Sequence, residues 1–338
     1  MAAILQHPLV REDPGSSEII RNVVQRGGSN SNLRIGMDTL EMALFFKEGS
    51  SEMLYTNPSS GRYRFCRYEN LPPIVAMTVT GDNNIYVLAE VAGTEDWLSF
   101  LVYNHLGNTW EQRSSVQIRV HIEDCDCRSE HLVEVFGHLY YLGCAVSGTD
   151  EEVVVMKRYN QYTDQWHICS TPCAHGEPFG LSSNVALSCG PHIYLFTRAE
   201  MLRYDPSDDQ WCRLTLPIAI HEFWTAVAMG TEIFYTSLDL PDMLVYDTQS
   251  ESWSELPRWA NTGQPDCVGP CLFVLQNQLH VLTCFRSLDS GRHMQISVCD
   301  RSARVWRDLD VPLPEEDWFG DDLVFPVARM YQPCLNTS

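Results

Sequence analysis

The side chains best suited to chemistry gather in one stretch, His121-Ile-Glu-Asp-Cys125-Asp-Cys127-Arg-Ser-Glu-His131. Two cysteines and two histidines are the ligand set of a structural zinc site. The spacing departs from the usual one, because a single residue separates Cys125 from Cys127. The expectation is a polar loop between blades with incidental thiols, and no metal or other cofactor. His121, Cys125, Cys127 and His131 stay as a secondary zinc candidate. The sequence lacks a Gly-x-Ser-x-Gly elbow, a Walker loop, a Gly-x-Gly-x-x-Gly turn and a His-Glu-x-x-His pair. No catalytic residue is assigned, and an enzyme is not expected.

Aromatic spacing carries more information. A Tyr, six residues rich in turn formers and a Trp recur as Tyr103…Trp110, Tyr159…Trp166, Tyr204…Trp211 and Tyr246…Trp253. A weakened copy runs from Cys299 to Trp306, and a degenerate one starts at Tyr55 with Arg62-Tyr63 at the Trp position. The six units stand 48, 56, 45, 42 and 53 residues apart. Nine of these residues are expected to be structural anchors: Tyr103, Trp110, Tyr159, Trp166, Tyr204, Trp211, Tyr246, Trp253 and Trp306.

The elements that position the anchors follow from the flanking residues. Short runs such as Ile85-Tyr-Val-Leu88, Leu139-Tyr-Tyr-Leu142 and Ile193-Tyr-Leu-Phe196 read as strands between Gly, Asn and Asp punctuation. A further apolar run lies upstream of several, as in Val185-Ala-Leu187 and Ala226-Val-Ala228. Each unit therefore holds four strands, a to d, with the Tyr on c, the Trp on d and an Asp- or Asn-rich turn between them. Four strands in about 40–50 residues is the size of one propeller blade. The expected fold is all-β: a six-bladed propeller over residues 33–338. Its first unit begins at strand b, near Leu40–Phe46, and the C-terminal strand closes the ring. Before it, residues 1–32 read as one short helix, Ser16 to Arg26, ended by Gly27-Gly28 and a linker.

The remaining tryptophans point to binding. Trp97 is expected between strands b and c, and Trp224, Trp259 and Trp318 at or near d-to-a connections. In an up-and-down blade these two kinds of loop emerge on one face of the ring. Phe179, His221, Phe223, Arg258 and Phe319 belong to the same connections. Aromatic and Arg side chains on loops are the commonest binding hot spots. With 44 Asp and Glu against 23 Lys and Arg, the net charge is −21. Such a surface repels phosphate backbones and anionic lipid, so neither nucleic acid nor membrane is expected as a partner. A basic protein segment fits better. The thirteen cysteines, without a secretory leader, read as thiols of a cytoplasmic protein, with the nucleus as a second location.

The Tyr-x6-Trp units with their upstream strands resemble Kelch repeats over about residues 40–335. The segment from His7-Pro8-Leu9 to Val24 resembles the last helix of a BACK domain. Together they are similar to the Kelch-like BTB–BACK–Kelch proteins, in particular the kelch-repeat-and-BTB-domain-containing subgroup. The Gly-Gly doublet of that family after strand b is replaced here by Ala89-Glu90, Gly143-Cys144, Phe196-Thr197, Thr236-Ser237 and Cys284-Phe285. The resemblance implies the substrate-recognition module of a cullin-RING ubiquitin ligase adaptor, binding a protein substrate or peptide degron. The cullin scaffold is expected to be reached only through a BTB domain that this chain lacks, whether it is a fragment or a natural isoform. The alternative is a cytoskeletal or signalling scaffold with no role in ubiquitination.

Overall fold

A computed structural model describes residues 39–46, 51–57, 62–67, 72–104, 109–117, 125–147, 152–172, 184–197, 200–217, 225–236, 242–259, 267–287, 291–309 and 327–331. The expected N-terminal helix, its BACK-like assignment and the linker to residue 32 lie outside them.

The described chain is built of antiparallel strands. It opens with β1 (Thr39–Phe46), β2 (Glu52–Asn57) and β3 (Arg62–Arg67). The first blade follows as β4 (Ile74–Val79), β5 (Ile85–Val91), β6 (Thr94–Asn104) and β7 (Thr109–Gln117). The second is β8 (Cys125–Val135), β9 (His138–Ser147), β10 (Glu152–Asn160) and β11 (Gln165–Ile168). The third is β12 (Val185–Cys189), β13 (His192–Phe196), β14 (Met201–Asp205) and β15 (Gln210–Leu214). The fourth is β16 (Thr225–Met229), β17 (Glu232–Thr236), β18 (Asp242–Asp247) and β19 (Ser252–Pro257). The fifth is β20 (Cys267–Leu275), β21 (Gln278–Ser287), β22 (Gly291–Asp300) and β23 (Val305–Leu309), and β24 (Val327–Tyr331) comes last.

Five blades thus run on four consecutive strands each, where six were expected. The remaining four-stranded sheet is composite, in the order β24-β1-β2-β3. Its seam pairs Thr39 with Tyr331 and Ala43 with Val327. Hydrogen bonding between the two ends of the described chain removes an open sheet edge.

Packing between neighbouring sheets is apolar and continuous. Met42, Leu44 and Tyr55 of the composite sheet pack with Ile85, Val87 and Tyr103 of the first blade. Phe100 then meets Tyr159 and Trp166 of the second blade, with ring centroids 4.8 and 5.1 Å away. Tyr140 and Leu142 join Ile193, Tyr204 and Trp211 between blades two and three. Phe196 stacks on Tyr235 between blades three and four. Beyond the fifth blade, β20 touches both β1 and β24. Alternate residues of each strand face opposite sides of its sheet, so each blade offers one apolar layer to either neighbour.

Candidate functional site

The Tyr–Trp repeat marks a cross-strand pair. Tyr103 lies opposite Trp110, Tyr159 opposite Trp166, Tyr204 opposite Trp211, Tyr246 opposite Trp253 and Cys299 opposite Trp306. Each described Tyr–Trp ring pair is tilted, with centroids 4.8–5.2 Å apart. In the composite sheet the register places Tyr63 opposite Thr56, one residue along from Tyr55.

The turn between each pair has its own chemistry. Its first residue, Asn160, Asp205, Asp247 or Asp300, accepts N–H bonds from two or three residues further on. Its penultimate residue, Asp164, Asp209, Glu251 or Arg304, adopts a left-handed φ of 50–55°. These four left-handed residues reach back to the preceding blade. Asp164 accepts from the Ser114 N–H at 3.0 Å and from the Tyr159 hydroxyl at 2.7 Å. Asp209 repeats this with the Ser170 N–H and Tyr204, both at 2.8 Å. Glu251 pairs with Arg203 at 2.8 Å, and the Arg304 guanidinium donates to the Glu255 carbonyl at 2.9 Å. The tryptophans add a second clasp. Trp166, Trp211 and Trp306 donate their indole N–H to the carbonyls of Ser114, Ser170 and Pro257, at 2.8–3.0 Å.

The charges fit this arrangement. Burial pushes the Tyr159 and Tyr204 hydroxyls well up, and their bonds to Asp164 and Asp209 push them further. Burial alone raises the two carboxyls, but the bonds they accept outweigh it and leave both below the usual range. The repeat residues are thus a blade-to-blade latch. The latch joins blades of a ring that has turns on one face and loops on the other.

On the loop face, the described part of the expected binding set divides. Trp97 lies inside strand β6, near its b–c end, instead of in the loop itself, and is 41% exposed. Trp259 corrects the expectation: it is 4% exposed. Its ring meets Trp306 edge-on at 5.9 Å, in the core between blades four and five. The Trp306 indole is already drawn to the Pro257 carbonyl, so the chain just after Pro257 drops its next aromatic into the same gap. Arg258, half-buried, lays its guanidinium over the Trp259 ring at 4.7 Å. Phe179, His221, Phe223, Trp224, Trp318 and Phe319 lie outside the described residues.

The zinc candidate also changes. Cys125, Cys127 and His131 lie on strand β8, the inner strand of the second blade, and not in an inter-blade loop. The Nε2 of His131 is 2.6 Å from the Asn184 side-chain oxygen, and Ser129 shares that oxygen at 3.0 Å. Burial holds the imidazole below its ordinary pKa, partly offset by this bond. A neutral ring donating to Asn184 ties β8 to the entry of the third blade. His121 lies outside the described residues, and no group of three metal-binding side chains occurs among those described.

Two exposed aromatics escaped the sequence reading. Phe136, in the turn from β8 to β9, is 76% exposed, and Tyr162, in the turn from β10 to β11, is 89% exposed. Comparing turn positions between repeats would have singled them out. Where Tyr162 stands, blades three, four and five carry Ser207, Gln249 and Ser302.

No protein-family model matches the sequence, and no curated protein does. Among solved structures the chain is similar to TolB from Acinetobacter baumannii. The TM-score is 0.52 at 13% identity, covering 90% of this chain and 67% of that one. The likeness establishes the fold: the chain is a β-propeller. Among the described residues no helix is long and apolar enough to cross a membrane.

Proposed function

We propose that this propeller recognises a protein partner through its loop face and performs no catalysis. In this reading the composite sheet acts as a sixth blade, and the chain is the substrate-recognition module of a Kelch-like cullin-RING ubiquitin ligase adaptor. The observation that carries recognition is Trp97, a large aromatic left in solvent on a ring whose blades are latched together. A rigid, pre-organised aromatic anchor is what a hot spot needs. The adaptor role rests on the resemblance of the Tyr-x6-Trp repeats to Kelch repeats. The net charge of −21 favours a degron that offers basic and apolar groups together, in the cytoplasm or nucleus.

The test is the fate of a partner captured by the propeller in cells. Loss of the gene product should lengthen that partner's half-life and reduce its ubiquitination. A partner bound with full affinity but unchanged in half-life and ubiquitination would sink the adaptor role and favour a cytoskeletal or signalling scaffold.

A further inference from the structure

The turn face of the second blade carries an exposed aromatic at each of two turn positions where most sister blades have Gly or a polar residue. The turns from strand a to strand b carry left-handed Asn83, Gly190 and Gly230, which suit that conformation, and in the fifth blade the pair Gln276-Asn277. The second blade has Phe136 there, at φ 50°, followed by Gly137 at 79°. A bulky residue with positive φ is an outlier that a folded chain tolerates only with compensation. Burial does not supply it, since the ring is 76% exposed. Tyr162 occupies a turn position that holds Ser or Gln in the next three blades, and it is the most exposed large hydrophobic side chain described. The two turns are separated by two strand spacings, about 10 Å.

The charges around this pair are mostly negative. Asp82 is exposed on the a–b turn of the first blade, and Asp208 and Asp209 on the c–d turn of the third. Glu134 and Asp164 flank the aromatics within their own blade. Three arginines lie nearby: Arg158 acts on the Asp209 charge, Arg113 is 3.4 Å from Glu111, and Arg203 is paired with Glu251. Exposed aromatic faces ringed by carboxylates select a guanidinium, which stacks on the ring while its N–H groups reach the acids.

We propose that Phe136 and Tyr162 form a second docking surface, on the face opposite the loops, for an arginine-containing segment of a partner protein. The test uses the whole chain and a panel of fluorescent Arg-rich synthetic peptides, with Glu-for-Arg versions as controls. Members of the Arg panel should bind with an affinity that falls with salt, and the Glu versions should not. A Phe136→Asn, Tyr162→Ser double variant should weaken binding about thirtyfold, whereas Trp97→Ala should leave it unchanged. The Phe136→Asn change should also raise Tm, because Asn suits the left-handed turn. Equal binding to wild type and the double variant, or no binding by any Arg peptide, would overturn the proposal. Loss of peptide binding in Trp97→Ala alone would place the site on the loop face, which leaves the loop-face reading standing and removes this one.

Discussion

Replacing Asp209 by glycine pits two effects of opposite sign against each other. Asp209 sits at φ 53°, a conformation glycine adopts without penalty. Removing the side chain should therefore relieve about 1 kcal/mol of left-handed strain. Against this, the carboxylate accepts bonds from the Ser170 N–H and the Tyr204 hydroxyl, both at 2.8 Å. Hydrogen bonds to a charged group are worth roughly 1.5–3 kcal/mol each. Asp209 is exposed, so about half of that is the fair figure after solvent screening. The buried Tyr204 hydroxyl, left without its acceptor, adds roughly 1 kcal/mol. The balance is a net loss of about 2 kcal/mol, or a Tm lower by about 3 °C in a chain of this length. A cycle with Tyr204→Phe should show a coupling of about 1 kcal/mol by denaturant titration. The carboxyl's folded pKa lies below its unfolded value. Its contribution is therefore fully present above the unfolded pKa and fades as pH falls through the folded pKa, where the gap between variant and wild type should narrow. A neutral or stabilised Asp209→Gly would refute the latch, leaving Asp209 as a turn residue and nothing more.

Trp259→Ala should cost roughly 3–5 kcal/mol, as a buried large-to-small change between blades four and five; Trp97→Ala should leave thermal unfolding almost unchanged. Gly143→Ala places a methyl 2.5 Å from the Tyr141 hydroxyl and 3.1 Å from a Glu130 oxygen. Tyr141 is fully buried, so calorimetry should find a loss of about 1–3 kcal/mol. Thiol titration of the native protein should lose one fast-reacting group in Cys212→Ser. It should lose none in Cys271→Ser, because Cys212 is exposed while burial pushes the Cys271 thiol far up.

The repeat makes the fold legible in the sequence. Tyr-x6-Trp read as a strand–turn–strand unit because the six-residue interval returns the Trp opposite its Tyr, and Asp205 or Asp247 announces the turn. The closing pair of β24 with β1 was also legible, from an N-terminal unit that lacks its first strand. What could not be read was depth. Trp97 and Trp259 both flank strand ends in the sequence, yet one is in solvent and the other fills a gap between blades, because only the assembled ring defines that gap. The latch was hidden for a similar reason: Asp209 bonds Ser170, 39 residues away, and no local pattern records a contact between blades. Cys125 and Cys127 looked like loop thiols because Asp and Arg surround them, but the antiparallel partner β9 extends β8 through them.

The most direct test of protein recognition by the loop face is calorimetric titration of the propeller's captured partner with the wild-type chain and with Trp97→Ala. Recognition centred on Trp97 predicts an affinity about thirtyfold weaker at an unchanged Tm. An identical Kd for the two chains would contradict it.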